Sequence, residues 1–276
     1  MGAGLGLALS AAGYDVTLLV RTERPTPSGV GRSAGGSRWR ETLRPAAVVV
    51  VATPDGAISA AAAVLAGLNV LGAPQVVLHL SGLLDRSALG PLDGCGAGLG
   101  SLHPLQAVAD PATAPARLHG CYAALEGDAA AIAAGERLAR AVGMIPVIVP
   151  AAAKPAYHAA ATMASNYVVV LADIARRVSE SGGVPAAMAG EMYLPLMRGT
   201  VQNIADRGAA AALTGAVRRG DAGTVAAHLS ALSAADRELY ARLGLEALRL
   251  AREAGLGAEP AAQVAAALRA PERANG

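Results

Sequence analysis

Lys154 stands out chemically. Arginine fills 22 of the 23 Lys and Arg positions, so Lys154 is the one lysine in the chain. A buried ammonium can be desolvated until it exchanges its proton near neutral pH, which a guanidinium does not do. Lys154 opens the segment Lys154-Pro-Ala-Tyr-His-Ala-Ala-Ala-Thr-Met-Ala-Ser-Asn166. His158 follows four residues on, so a helix puts both on one face, and Thr162, Ser165 and Asn166 continue that side. A polar stripe on an otherwise Ala-, Val- and Met-rich helix suits acid–base chemistry. Lys154 would be the proton donor or acceptor, His158 a partner or substrate ligand, and Asn166 an orienting hydrogen-bond donor. The bland alternative is a lysine that caps or pairs at an element boundary. A second cluster is Ser101-Leu-His-Pro-Leu-Gln106, where His103 would end a strand beside a turn stiffened by Pro104. His79, inside an apolar run, reads as a satisfied core histidine. Ser81-Gly82 reads as a loop where a hydroxyl and bare backbone meet a ligand. Thr200, Gln202 and Asn203 on a later helix are weaker candidates for the same cleft. The five histidines lack metal-ligand spacing and no acidic cluster joins them, so no metal is expected.

The elements that must position these residues alternate over the first 150 positions. A small-residue helix, Met1 to Ala12, stops at Gly13, and the strand Asp15–Val20 follows. Residues 26–40 read as a loop. Ala46–Ala52 is a β-branched run of the kind buried on both faces of a sheet. Thr53-Pro-Asp-Gly56 is turn chemistry, with Asp55 able to cap the helix after it. Val76–Leu80 is another buried strand, and short apolar pieces recur at 98–102, 120–125 and 144–149 around a helix at 128–142. This alternation predicts a parallel sheet with helices on both faces. After Pro150 the segments 155–180, 186–206, 222–228 onward, 234–254 and 261–270 all read as helices. The expected organisation is an α/β domain over 1–150 and an all-helical domain over 151–276 that binds substrate and dimerises. Lys154 would then face a cleft between them.

The N-terminus carries a weak nucleotide signature. Gly2, Gly4 and Gly6 suggest the glycine-rich turn that brings backbone N–H groups to a pyrophosphate. In such helices the third glycine sits about three turns before the closing Ala-Gly. Counting eleven residues back from Gly13 gives Gly2 as that third glycine. The first strand and first two glycines would then lie before Met1, through a misassigned start in preference to degeneration. Gly4 and Gly6 could equally serve close helix packing. Arg21, Thr22 and Arg24 follow the second strand, where an acid would hold the ribose 2′-OH of NAD and an arginine suits a 2′-phosphate. NADP is therefore expected ahead of NAD. Thr53, Pro54 and Ser81 would border the cofactor at the carboxyl ends of their strands.

Composition excludes several classes. With 53% hydrophobic and 16% charged residues the chain is not disordered. A net charge of +2 with scattered arginines gives no nucleic-acid stripe. Cys95 and Cys121 form neither a disulfide framework nor a zinc pattern, so a reducing, cytoplasmic setting is expected. No signal peptide is expected, since no basic segment followed by an apolar run opens the sequence. Residues 56–84 carry no charge, but a buried helix, a turn and a strand explain them better than a membrane span.

Taken together, several stretches resemble one bacterial family: Thr53-Pro-Asp, His79-Leu-Ser-Gly82, Gly100-Ser-Leu-His-Pro-Leu-Gln106, Lys154-x-x-Tyr-His-Ala-Ala-Ala161, Ala164-Ser-Asn166 and Ala212-Leu-Thr-Gly-x-x-x-Arg-Gly-Asp221. Members join a Rossmann-like domain to a C-terminal domain of unknown function, and are related to pyrroline-5-carboxylate reductase and 6-phosphogluconate dehydrogenase-like proteins. The resemblance covers nearly the whole chain. It implies an NADP-dependent oxidoreductase acting on a small carbonyl/alcohol or imine/amine substrate; the broad Ala/Leu faces of the second domain's helices add the expectation of a homodimer. In the related β-hydroxyacid dehydrogenases a Lys-x-x-x-Asn pair does the acid–base work; here the pair is Lys154 and His158. The chain departs from the family at the glycine fingerprint and at Ala216, where Pro often follows the Thr-Gly pair. A rival reading is a catalytically degenerate nucleotide-binding or scaffold protein.

Overall fold

The computed structural model describes residues 1–20, 30–34 and 36–270. It opens with α1 (Gly2–Ala11), β1 (Thr17–Val20), β2 (Gly31–Ala34), α2 (Gly36–Leu43), β3 (Val48–Val51), α3 (Ile58–Leu68) and β4 (Val76–His79). Next come β5 (Gly98–Pro104), α4 (Ala114–Leu118), β6 (Tyr122–Gly127), α5 (Ala129–Ala141), β7 (Ile145–Ile148) and α6 (Lys154–Ala164). β1 and β2 pair in parallel as a small sheet of their own. The main sheet has the order β3-β4-β5-β6-β7.

Side-chain alternation along the main sheet builds two cores. Val76, Leu78, Leu102, Ala123 and Leu125 face one side, with Leu5 and Leu9 of α1 and Ala131, Ala134 and Leu138 of α5. Val49, Val51, Val77 and Leu99 face the other, with Ile58, Ala62 and Leu65 of α3. Those spacings, i, i+4 and i+7 on α3 and i, i+3 and i+7 on α5, are the one-face period of a helix. The four valines of β3 are covered on both sides, because Val48 and Val50 pack against the first core.

Two expectations are corrected here. The sheet is not wholly parallel: β3, β4 and β5 are parallel, β6 runs antiparallel to β5, and β7 is parallel to β6. The connection between β5 and β6 holds a 3-10 turn at Pro111–Thr113 and the five-residue α4 in place of a full crossover helix. Segment 26–40 is also not all loop, since β2 and the start of α2 lie in it. The β5–β6 pair is close enough to require glycines. A Cβ on Gly127, which sits at φ +133°, would meet Gly100 Cα at 2.4 Å.

The second stretch contains α7 (Asn166–Ser181), α8 (Ala186–Ala189), α9 (Tyr193–Arg207), α10 (Ala209–Ala212), α11 (Gly215–Arg219), α12 (Ala222–Ala231), α13 (Ala234–Glu253) and α14 (Ala258–Arg269), and no strand among the described residues. Its core joins Val217, Val225, Leu248, Ala251, Ala261, Val264 and Leu268 from α11 to α14. The Thr-Gly…Arg-Gly-Asp stretch is helix-end chemistry. Gly220 ends α11 at φ +73°, and Asp221 caps α12 by accepting the Thr224 N–H at 2.9 Å. No helix among the described residues is long and apolar enough to cross a membrane. Residues 56–84 hold α3, a turn and β4.

The two compact units are Met1–Ser165 and Asn166–Gly276. The division falls later than residue 150 because the first residue of α6 anchors that helix in the α/β unit. The expected single helix over 155–180 is also interrupted, at Ser165 (φ −123°, ψ −71°).

Candidate functional site

The parallel strands β3 and β4 deliver two turns to one edge of the sheet, and β5 ends beside them. After β3, Asp55 accepts the Ser81 hydroxyl at 2.8 Å instead of capping the following helix. After β4, that hydroxyl accepts the N–H groups of Leu83 (3.1 Å) and Leu84 (2.9 Å), which folds the chain back sharply at Gly82. The Ser81 hydroxyl is thus fully used in building its own turn. His79 is completely buried. The Ser81 N–H donates to its Nδ1 at 3.2 Å, so its Nε2 carries the proton and donates to the Asp85 carbonyl at 2.9 Å. Burial holds its pKa below the ordinary histidine value, against the Asp85 hydrogen bond that works the other way. The expectation of a satisfied core histidine is met.

α6 closes this edge. Lys154 is 1% exposed, and its Nζ donates to Ser101 Oγ at 2.8 Å and to the Ser81 carbonyl at 3.2 Å. Burial lowers its pKa, opposed by the carboxylates of Glu126, Asp85 and Asp55. One turn on, Tyr157 OH lies 2.8 Å from His103 Nδ1, and the rings meet edge to face at 5.6 Å. Burial, reinforced by the nearby His158 and Lys154, takes His103 down to about 4, and burial pushes Tyr157 up to about 12. At neutral pH this pair is an uncharged imidazole beside an intact phenol. His158 stacks edge-on against His103 at 5.7 Å, with its Nδ1 buried and unpaired. Both imidazoles converge on Gly82. A Cβ there would meet His158 Nδ1 at 2.6 Å and His103 Nε2 at 2.9 Å. Gly82 is glycine because two rings occupy the space of its side chain.

The structure therefore brings Lys154, His158, His103 and Ser81 together. Asn166 is not on their helix. It opens α7 after the break at Ser165, exposed and in the other compact unit, so the expected stripe ends at Thr162. Thr200, one of the later polar candidates, bonds back to Leu196 within α9. Arg21, Thr22 and Arg24 lie outside the described residues. Tyr157, Ser101 and Glu126 were not read from the sequence as site residues. Tyr157 was signalled by its place three residues after Lys154, and Ser101 by period-two spacing from His103. Glu126 was signalled as an acid inside the apolar strand Tyr122–Gly127.

For a dinucleotide, this edge is the expected place. Gly2, in the first turn of α1, packs so closely against the residue after β3 that its Cβ would meet Ala52 Cβ at 2.4 Å. Thr53 Oγ1 is buried beside it without a hydrogen-bond partner. Gly2 and Thr53 thus meet at the carboxyl end of β3.

These elements define the class: a Rossmann-like α/β fold followed by a helical C-terminal region. Within it, residues 121–247 match the family described as "Domain of unknown function (DUF2520)", which bears out the resemblance read from the motifs. The fold is similar to that of protein TM1727 from Thermotoga maritima (TM-score 0.68, 23% identity, covering 92% of this chain and 97% of that one). It is also similar to the "putative NADP oxidoreductase BF3122" of Bacteroides fragilis (TM-score 0.65, 18% identity, 90% and 93%). A further match is Plasmodium falciparum pyrroline carboxylate reductase, solved with NADP bound (TM-score 0.51, 10% identity, 74% and 75%). No curated protein matches the sequence.

Proposed function

We propose that the protein is an NADP-dependent oxidoreductase for a small substrate whose reacting carbon alternates between carbonyl and alcohol or between imine and amine. The observation that carries this is Lys154, a buried amine of lowered pKa held at the carboxyl edge of the sheet beside two imidazoles. The nicotinamide would supply the hydride. Gly2, Thr53 and Pro54 would border the nucleotide, and Arg21, Thr22 and Arg24 would favour a 2′-phosphate. Lys154 would give or take the proton at the reacting heteroatom. His158 and His103, both facing Gly82, would hydrogen-bond the substrate, while Tyr157 keeps His103 in place. Asn166 stays an orienting candidate on sequence grounds.

The helical unit exposes Val169 (69%), Leu196 (65%) and Val201 (61%) on α7 and α9. A second copy of the chain is the proposed cover, which the mass in solution checks. Such a protein would work in the cytoplasm, where NADPH is available.

NADPH titration tests the main reading, followed by energy transfer from Trp39, the only tryptophan. Saturable binding, tighter for NADPH than NADH, is expected. Thr53→Val should weaken it by about tenfold, the worth of one ligand hydrogen bond of about 1–1.5 kcal/mol. Absence of dinucleotide binding, in this chain and in one extended upstream by the expected strand and turn, would favour the non-catalytic alternative.

A further inference from the structure

Glu126 is an acid in an apolar strand, 7% exposed, and the proposed reaction gives it no task. It sits directly opposite Ser101 in the antiparallel β5–β6 pair, so both side chains leave the same face of the sheet. Glu126 Oε2 lies 3.1 Å from Ser101 Oγ, which lies 2.8 Å from Lys154 Nζ. Glu126 Oε1 accepts the Arg86 N–H at 3.2 Å. An ammonium only donates and a carboxylate only accepts, so the hydroxyl must accept from Lys154 and donate to Glu126. The two charges meet through this hydroxyl, with no direct ion pair between them.

We propose that Ser101 and Glu126 are positioning residues for Lys154, and that the hydroxyl carries a proton between ammonium and carboxylate without solvent. An N–H bond of Lys154 breaks as an O–H bond forms at Ser101 Oγ. The original Ser101 O–H bond breaks, and its proton bonds to Glu126 Oε2. A neutral amine, an intact hydroxyl and a protonated carboxyl result, with no change in total charge. The reverse shift re-arms the ammonium. The use of this chain rests on the reading of Lys154 given above; the chain itself does not.

The single lysine makes the test direct. With 15N-labelled lysine, one Nζ signal reports the charge of Lys154 across a pH titration, with no substrate needed. Glu126→Gln should lower the midpoint by about one pH unit, a tenfold change in the ionisation constant. In a Ser101→Ala background the same substitution should move it less than half as far. An unmoved midpoint in Glu126→Gln overturns the proposal, and a full-sized shift in the Ala background overturns the part given to Ser101. Glu126→Asp, which keeps the charge, should recover part of the shift. If the Gln chain does not fold, Ser101→Ala alone decides: a changed midpoint supports the chain and an unchanged one refutes it. NADPH binding measured on the same samples separates the two readings. Normal coupling without dinucleotide binding removes the oxidoreductase reading alone. Binding without coupling removes only the relay.

Discussion

Acid should unfold this protein early, and His103 should be a main cause. In the fold its pKa stands at about 4, against 6.5 for the free side chain. The unfolded chain therefore binds a proton below pH 6.5 that the folded chain refuses. The stabilisation is complete above 6.5 and is lost as the pH falls toward about 4. Each such proton gives a slope of up to about 1.4 kcal/mol per pH unit. Linkage over this interval yields a ceiling of about 2 kcal/mol at pH 5. His103 is only partly enclosed, so about 1–2 kcal/mol is the working figure. Aspartates with lowered pKa, such as Asp85, act below the usual carboxylate value and leave this window clear. Urea unfolding at pH 7, 6 and 5 measures the effect, with His103→Asn as the partner experiment, because its amide can still bond Tyr157. The wild type should lose about 1–2 kcal/mol more than the variant between pH 7 and 5. His79, lowered in the same direction, should leave the variant a residual slope. Parallel stability curves for the two proteins would refute the placement of a desolvated neutral imidazole at this edge.

Two substitutions probe the rest of the site. Lys154→Met should reduce turnover by about a hundredfold or more on any ketone or imine the wild type converts, while NADPH affinity stays within about twofold; near-normal turnover would return Lys154 to a structural role. Gly82→Ala should destabilise by about 1–3 kcal/mol, because its Cβ would press on both imidazoles. Gly56→Ala, with nothing within 4 Å, is the control and should leave the melting temperature unchanged or slightly raised. Equal melting temperatures for the two variants would sink the tight convergence on Gly82.

Local pattern reveals most of the frame. The valines of β3, the apolar run of β4 and the one-face spacing of α5 each announce their element, since burial on a sheet or helix face leaves a period. Long-range geometry is not announced this way. The direction of β6 is invisible in Tyr122–Gly127, because an apolar strand reads the same either way. Yet that direction sets Glu126 opposite Ser101 and so creates the partner of Lys154. The break at Ser165 is equally silent. Ser165 and Asn166 continue the polar stripe in sequence, and only the backbone shows that α6 has ended. Lys154 and His158 were legible as a pair because four-residue spacing is local. Their meeting with His103 at Gly82 depends on three separate elements and is not.

The cost of this sheet face bears on the proposed chemistry. His79, Ser101 and Glu126 form a row across β4, β5 and β6 at positions paired to one another. On the same face β3 places Val51 opposite His79, so an apolar side chain is well tolerated there. Replacing a buried charged pair by apolar residues of similar size is commonly neutral or stabilising, by up to about 4 kcal/mol. Lys154 adds a second penalty. It sits in the first turn of α6, facing the positive end of the helix dipole, where an acid or a capping serine would be favoured. A chain with 53% hydrophobic residues could close this face with aliphatic groups. It instead keeps a lysine, a glutamate and two converging imidazoles beside the carboxyl ends of β3 and β4, the edge where open α/β sheets bind their ligands. Stability alone does not account for that choice, whereas the proposed proton transfer to a bound ligand needs both the groups and the location.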